Sequence, residues 1–235
     1  MPRPRSRTRY DLVVDRSPGR LTPRVIPAVD PWLAGEMFVS PHIEERRRGF
    51  AILFGSEAAR RSPLTPQLLA SRVDEPDLSL RAQILHALSD YFEIRGREYR
   101  YAPEMRAMVT GHLRKFDRPQ VLAVVEAHRA GRNNTVRVRE ESLARLLERM
   151  PNVAVHLTRL AGDRSLRVGL RESAIELIGL VGFSDALEAL AGLQLRIEGR
   201  RAGQLTMGFA PSDNPDEQKL LPALKETLRL LRDND

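Results

Sequence analysis

The chain has 235 residues, of which 42% are hydrophobic and only 5% are aromatic, and it contains no cysteine. This apolar content is enough to bury a core, which excludes a disordered chain. A core of Leu, Ala, Val and Ile suits packed helices better than a β-sandwich, so we predict an all-α fold. The lack of cysteine excludes a disulfide framework and thiolate metal sites, and it fits a reducing compartment.

The net charge of +7 is unevenly distributed along the chain. Residues 1–24 hold seven arginines against two aspartates, a balance of +5, and the other 211 residues hold 31 basic against 29 acidic side chains, a balance of +2. The body of the protein is therefore close to neutral. Its high isoelectric point alone is weak support for nucleic-acid binding.

The N-terminal sequence bears on location. Three of its first seven residues are arginine, but the apolar stretch of about 7 to 15 residues that a secretory signal needs does not follow them. The chain also lacks a run of about 18 apolar residues that would span a membrane. We therefore expect a soluble, cytoplasmic protein.

The first 40 residues are interrupted by prolines, which hold the preceding residues extended and prevent a long helix. These prolines are Pro2, Pro4, Pro18, Pro23, Pro27 and Pro31. We predict an extended, basic, proline-rich arm at residues 1–40, followed by a helical domain at residues 41–235.

The C-terminal segment predicts one amphipathic helix at residues 215–233. It begins with Pro215 and acidic residues, which suit the first turn of a helix. Its apolar stripe consists of Leu220, Leu221, Leu224, Leu228 and Leu231. One apolar face and one charged face are what the end of a helical stack requires, so we interpret this segment as a capping helix.

From residue 41 onward the apolar residues follow helical spacing, and one pattern recurs. In its clearest copy Arg171 opens a helix that ends near Gly182, a residue suited to a helix C-cap. The same template places marker arginines at Arg46, Arg81, Arg106, Arg139 and Arg171, which are 35, 25, 33 and 32 residues apart. These intervals suit two short helices and two turns, which predicts stacked helix pairs.

The copy at residues 163–190 resembles the short HEAT-like repeat of phycobilisome-lyase type. At the motif positions stand Asp163, Arg171, Ala174, Gly179, Gly182, Ala186 and Leu190. A copy at residues 74–91 is similar but lacks both glycines, and the others are more degenerate. The resemblance covers residues 41–198 and implies an armadillo-like α-solenoid of about five HEAT repeats, whose marker arginines bind backbone carbonyls or an aspartate of a neighbouring repeat. It implies a scaffold and not the lyase activity found in part of that family.

The chain shows no catalytic set and no motif for a cofactor or a metal. No two of its five histidines lie within four residues of each other, and no His-Glu dipeptide occurs. A Gly-x-Ser-x-Gly nucleophile motif and glycine-rich phosphate loops are also missing. The sequence therefore predicts a protein that is not an enzyme and needs no cofactor.

Residues 91–101 concentrate three of the four tyrosines beside three arginines. Aromatic and arginine side chains are enriched in protein-binding hot spots and also stack on bases. The candidate partner-binding residues are Tyr91, Arg95, Arg97, Tyr99, Arg100 and Tyr101. The alternative is that the rings pack between repeats.

A second candidate surface is basic. Contacts with phosphates or with an acidic surface are predicted for Arg3, Arg5, Arg7, Arg9, Arg46, Arg47 and Arg48. A solubilising tail is the alternative for the arm.

These surfaces support different functions. The first hypothesis is a non-enzymatic scaffold or adaptor that binds a protein partner through the concave face of a HEAT-like array. The alternative is a helical-repeat protein that binds nucleic acid with the basic arm and the arginine-rich helix at residues 44–61. An enzyme, either a chromophore lyase or a base-excising glycosylase by family analogy, has no residue set in its support.

Overall fold

The computed structural model describes residues 10–13, 24–27, 31–55, 57–96, 98–206 and 215–233. Helices form most of this described part, and its strands belong to two short hairpins. The all-α fold class predicted from the aliphatic composition is confirmed. None of the described helices combines the length and the apolar character of a membrane span. The chain divides into two compact units, Met1–Arg60 and Arg61–Asp235.

The described part of the first unit contains a hairpin and three helices. Its elements are β1 (Tyr10–Val13), β2 (Arg24–Pro27), α1 (Pro31–Phe38), α2 (Ile43–Gly55) and α3 (Glu57–Arg60). The two strands pair antiparallel, with Leu12 opposite Val25.

This first unit differs from the predicted arm at residues 1–40. Two of the arm's apolar pieces pair as strands, and the segment from Pro31 is helical. Proline suits the first position of a helix, because the N–H that it lacks has no intrahelical acceptor there. The division between the units falls after Arg60 and not after residue 40.

Helices α1 and α2 pack closely against each other. The ring centroids of Phe38 and Phe50 lie 6.2 Å apart, and both residues are buried. The guanidinium of Arg46 donates hydrogen bonds to the carbonyls of Ser40 and Pro41, at 3.2 and 2.7 Å. The buried charge of α2 is therefore held by the chain that leads into the same helix.

The second unit is helical apart from one small hairpin in its described part. Its elements are α4 (Leu64–Ala70), α5 (Leu78–Asp90), β3 (Ile94–Arg95), β4 (Glu98–Tyr99), α6 (Pro103–Leu113), α7 (Arg118–Arg132), α8 (Glu140–Leu147), α9 (Val153–Gly162), α10 (Val168–Val181), a 3-10 turn (Ser184–Ala186), α11 (Leu187–Thr206), α12 (Pro215–Gln218) and α13 (Leu221–Asp233).

Several helix boundaries follow directly from local sequence. The Asp77 side chain accepts a hydrogen bond from the Leu80 amide at 2.8 Å and caps α5. Asp117 and Gln120 form a capping box at the start of α7. Gly182 ends α10 with φ of +80°, a left-handed conformation that favours glycine, so the predicted C-cap is confirmed.

The helices of the second unit contact one another in a regular order. Among the longer helices, α5 contacts α8, α8 contacts α10, and α10 contacts α13. A second series runs from α7 to α9 and from α9 to α11. The core between them consists mainly of Leu, Ile, Val and Ala, as the composition predicts.

Two marker arginines of the second unit are buried and serve the same purpose. The Arg81 Nε in α5 donates to the Glu75 carbonyl at 2.6 Å. The Arg171 Nε in α10 donates to the Ala161 carbonyl at 2.9 Å. The acceptor of Arg81 lies in the chain between α4 and α5, and the acceptor of Arg171 lies in the last turn of α9. A buried guanidinium needs such hydrogen-bond acceptors.

The markers Arg106 and Arg139 lie in other environments. Arg106 lies over the ring of Tyr99, with its Cζ 3.7 Å from the ring centroid. Arg139 is exposed, occupies the N-cap of α8 and lies 3.9 Å from an Asp90 oxygen. The repeat template therefore locates helices at these two copies, but their marker arginines are not structurally equivalent to Arg81 and Arg171.

The C-terminal segment forms two helices where the sequence predicted one. A turn at residues 219–220 separates α12 from α13. Pro222 occupies the second position of α13, where its missing N–H prevents a helical hydrogen bond to the carbonyl of Gln218. The predicted apolar stripe is buried at Leu224 and Leu228, on the helix that packs against α10 and α11.

Candidate functional site

The tyrosine- and arginine-rich segment forms a hairpin between α5 and α6. Strands β3 and β4 pair antiparallel, with Ile94 opposite Tyr99 and Arg95 opposite Glu98. Gly96 lies in the turn with φ of +66°, which only glycine adopts freely. Below the strands the Arg100 amide donates to the Glu93 carbonyl at 3.0 Å and continues the pairing.

The base of the hairpin is anchored in the core by aromatic rings. Tyr91 is fully buried and Tyr101 is 4% exposed, and their ring centroids lie 4.6 Å apart. Phe92 is also buried, and the Arg149 guanidinium lies 5.7 Å from its centroid. Aromatic pairs of this kind contribute about 0.5–1.5 kcal/mol beyond the area they bury, so the hairpin has a rigid support.

The outer part of the hairpin presents an apolar pair to solvent. Ile94 is 58% exposed and Tyr99 is 38% exposed. Because the two residues are directly opposite in an antiparallel pair, their side chains project from the same face. The Arg106 guanidinium of α6 covers Tyr99. We call Ile94, Tyr99 and Arg106 the hairpin surface.

The charges at the base of the hairpin are largely balanced. Arg100 forms an ion pair of 3.4 Å with Glu93, and its guanidinium lies 5.3 Å from the Tyr101 centroid. Burial raises the pKa of Asp90 above its ordinary value, and the neighbouring Glu93 raises it further. Apolar contact therefore dominates what the hairpin surface offers a ligand, with Arg106 as its cation.

The predicted partner-binding residues fall into three groups. Tyr91 and Tyr101 are buried and match the packing alternative. Tyr99 and Arg100 lie in the outer and lower parts of the hairpin. Arg95 belongs to β3, but its side chain and the whole of Arg97 lie outside the described residues.

Two members of the hairpin surface were not found from the sequence. Ile94 lies inside the candidate segment, but the candidate residues selected there are tyrosines and arginines. Arg106 was assigned a role as a repeat marker. The sequence does carry a signal for an exposed strand at Ile94, because Ile94 alternates with charged residues and a period of two places every second side chain on one face.

The predicted basic surface is only partly described. Arg3, Arg5, Arg7 and Arg9 lie outside the described residues. In α2 the Arg46 guanidinium is directed at backbone carbonyls, and Arg47 forms an ion pair of 2.9 Å with Glu44. Arg48 is exposed. The surface that α2 offers to phosphates is thus smaller than three adjacent arginines suggested.

No group of three His, Asp or Glu residues in the described part of the chain has an arrangement that would hold a metal ion. Comparisons of the chain with family models, with curated proteins and with solved structures find no match. Function must therefore be argued from the geometry of the chain itself.

Proposed function

We propose that this protein is a non-enzymatic scaffold, built as a HEAT-like array of helix pairs, that binds a protein partner with the hairpin surface as its anchor. The observation that carries the proposal is the exposed pair of Ile94 and Tyr99 on a hairpin whose base is buried. A rigid aromatic anchor loses little conformational entropy when it is bound, which is why such residues dominate hot spots.

The order of helix contacts supports the array. In a stack of helix pairs, the second helix of each pair contacts the second helix of the next pair. The series α5, α8, α10 and α13 follows this rule, and α7, α9 and α11 supply the other layer. In the second unit the arginines Arg81 and Arg171 each bind a backbone carbonyl of the chain that directly precedes their own helix, which gives these two copies of the pattern the same local arrangement.

The composition of the hairpin surface favours a protein over a nucleic acid. Phosphate recognition needs several cations that are not already engaged. Among the described side chains of the hairpin surface, one guanidinium accompanies two apolar side chains, and Arg100 at the base is paired with Glu93. A nucleic-acid function would therefore depend on the arm at residues 1–40, and it is kept as the competing outcome of the test.

A cytoplasmic location stays a prediction.

The test is affinity purification of the tagged full-length chain from its own cells, with and without nuclease, followed by mass spectrometry. We expect a stoichiometric protein partner that survives nuclease. The double variant Ile94→Ser with Tyr99→Ser should lose this partner, because both apolar contacts are removed. The matched control is Val155→Ser on α9, which changes a side chain that is 48% exposed and distant in sequence.

The outcomes separate the two functions. Loss of the partner from the double variant but not from the control, with unchanged circular dichroism and urea midpoint, supports the proposal. Equal recovery with the double variant would show that the hairpin surface is not the anchor. Nucleic acid in the eluate, with every protein partner lost on digestion, would overturn the scaffold function in favour of nucleic-acid binding.

A further inference from the structure

The second unit contains a cavity of about 610 Å³ that neither the helix stacking nor the hairpin surface explains. It is lined by the start of α5, the C-terminal half of α7 and the first turn of α10. Three arginines line it, Arg81, Arg129 and Arg167, against one acidic residue, Glu126. Glu126 and the neighbouring Glu172 offset two of these three charges, which leaves one positive charge in excess.

Two of these arginines already show which ligand chemistry they accept. Arg81 forms an ion pair with the carboxylate of Glu126. The Arg129 Nη1 donates to a carboxylate oxygen of Glu172 at 3.0 Å. Arg167 is exposed and forms no ion pair with any residue in the described part of the chain. It is therefore the cation of the cavity that is open to an incoming anion.

Arg129 lies against the backbone of α10 at Gly169, which has no side chain to keep the guanidinium away. A Cβ at Gly169 would lie 2.6 to 2.7 Å from the Nη2, Cζ and Nε of Arg129. Any residue with a side chain would push the guanidinium away from the helix. Gly169 therefore lets a planar cation lie flat on the first turn of α10, where the helix end adds partial positive charge.

The first turn of α10 adds donors to the same cavity. Arg167 occupies the N-cap position and provides no side-chain cap. The amides of Val168 and Gly169 donate to no acceptor among the described residues. Backbone amides at a helix start and guanidinium groups bind the same ligands, namely carboxylates and phosphates.

The remaining wall of the cavity distinguishes these two ligands. Pro76, Leu78 and Leu170 provide apolar surface beside the arginines. A bare phosphate would leave this surface in water, whereas an acidic side chain with an apolar neighbour would cover it. A cavity of this volume also exceeds what one oxyanion fills.

We infer that this cavity binds a carboxylate of an acidic segment with adjacent apolar residues, with Arg167, Arg129 and the first-turn amides of α10 as its donors. The inference rests on the proposed function in one respect, since a protein partner would supply the segment.

The probe is a fluorescein-labelled peptide of eight residues that alternates glutamate with leucine, titrated against the full-length chain by anisotropy. The comparison peptide has the same length and alternates lysine with leucine. We expect the acidic peptide alone to bind, with affinity that falls as salt is added. In a ¹⁵N spectrum the Val168 and Gly169 amides should shift on binding.

Two variants locate the site. Arg167→Gln should weaken binding about tenfold, which corresponds to one charge-assisted hydrogen bond. Gly169→Ala should weaken it by a similar factor, because the new Cβ displaces the Arg129 guanidinium. The controls are Arg196→Gln, which removes an exposed arginine from α11, and Gly192→Ala, whose added Cβ would meet open space. Neither control should change the affinity.

Three results would overturn the inference. The first is equal affinity of the two peptides, and the second is equal affinity of the variants and the controls. The third is a chemical-shift change of the Val168 and Gly169 amides on addition of inorganic phosphate, without binding of the peptide. The last result would assign the cavity to phosphate.

Failure here is distinguishable from failure of the proposed function. If the cellular partner is lost from the hairpin double variant but the acidic peptide does not bind the full-length chain, the scaffold stands and the cavity assignment falls. If the acidic peptide binds at the cavity but no partner is purified, the carboxylate site stands and the scaffold function falls.

Discussion

The Nε2 of His86 accepts a hydrogen bond of 3.0 Å from the backbone N–H of Arg139, and this bond joins α5 to the N-terminus of α8. A ring nitrogen accepts only when it carries no proton, so the bond requires a neutral imidazole. Burial and, to a smaller extent, the positive charge of Arg139 together lower the pKa of His86 from 6.5 to about 4.

We predict that stability falls on mild acidification. In the unfolded chain His86 takes up a proton near pH 6.5, whereas in the folded chain it does so only near pH 4. Its contribution is therefore complete above pH 6.5 and is lost as the pH falls towards 4. The difference corresponds to about 3 kcal/mol, which partial solvent exposure reduces to about 1–2 kcal/mol.

The measurement is urea unfolding at several pH values between 7 and 4.5, for the wild type and for His86→Gln. The glutamine oxygen still accepts the Arg139 N–H but does not titrate, so the variant should lose less stability over this window. His112 and His128 also have pKa values lowered by burial, so some dependence on pH will persist. The exposed His42→Gln is the control. An NMR titration that placed the His86 pKa at 6.5 would contradict the prediction.

A second prediction concerns the buried ion pair of Arg171 and Glu217. The Arg171 Nη2 lies 3.0 Å from a Glu217 oxygen, and both side chains are almost fully buried. Arg171→Met should lower the free energy of unfolding by about 3–5 kcal/mol, because it leaves the Glu217 carboxylate buried without this partner. Arg164 also binds Glu217, at 3.1 Å, but its side chain is 56% exposed, so Arg164→Met should cost about 1 kcal/mol at most.

Urea denaturation of the two single variants and of Arg171→Met combined with Glu217→Gln provides the check. The double variant should recover part of the loss, because the buried carboxylate that lost Arg171 is also removed. Equal losses for Arg171→Met and Arg164→Met would mean that burial does not matter to this pair.

The same ion pair shows where sequence reasoning stops. The sequence places Glu217 among the acidic residues that suit the first turn of the C-terminal helix. Its partner Arg171 is 46 residues away, and no local pattern connects the two. Helix starts at Asp77 and Asp117 and the C-cap at Gly182 were accessible, because their causes lie within a few residues of the chain.

The hairpin illustrates the same limit at the candidate site. The concentration of Tyr and Arg in residues 91–101 marks the segment that forms the hairpin between α5 and α6. The sequence did not show which rings are buried, because Tyr99 and Tyr101 are alike in isolation and differ only in what packs against them. Arg106 was matched to Arg81 by spacing, although the hairpin inserted between α5 and α6 changes its environment.

Burial predicts losses of stability of different size when two tyrosines of this hairpin are replaced. Tyr91→Ala should lower the free energy of unfolding by about 3–5 kcal/mol, because it opens a cavity beside Tyr101. Tyr99→Ala should lower it by about 1 kcal/mol or less, because the ring is partly exposed and loses mainly its contact with Arg106. Thermal and urea unfolding of both variants would measure the difference. If Tyr99→Ala proved as destabilising as Tyr91→Ala, the ring would belong to the core and not to the hairpin surface.

The last prediction concerns two glycines of α2, Gly49 in the middle of the helix and Gly55 at its last residue, which have different surroundings. A Cβ at Gly49 would lie 2.4 Å from the Phe38 amide nitrogen and 2.6 Å from the Ala34 carbonyl oxygen. Both are backbone atoms of α1, so the clash is relieved only if that helix moves. Gly49→Ala should therefore destabilise the first unit by about 1–3 kcal/mol.

Gly55→Ala is the matched control, because a Cβ at that position would meet nothing within 4 Å. Alanine favours helix over glycine by up to about 1 kcal/mol, so this variant should be neutral or slightly more stable. Hydrogen exchange of the α1 amides is the direct measurement, since it reports the packing of that helix even if the second unit stays folded. Faster exchange in Gly49→Ala with unchanged exchange in Gly55→Ala would establish that α1 and α2 touch backbone to backbone. Equal exchange in the two variants would show that α1 is not held at this distance in solution.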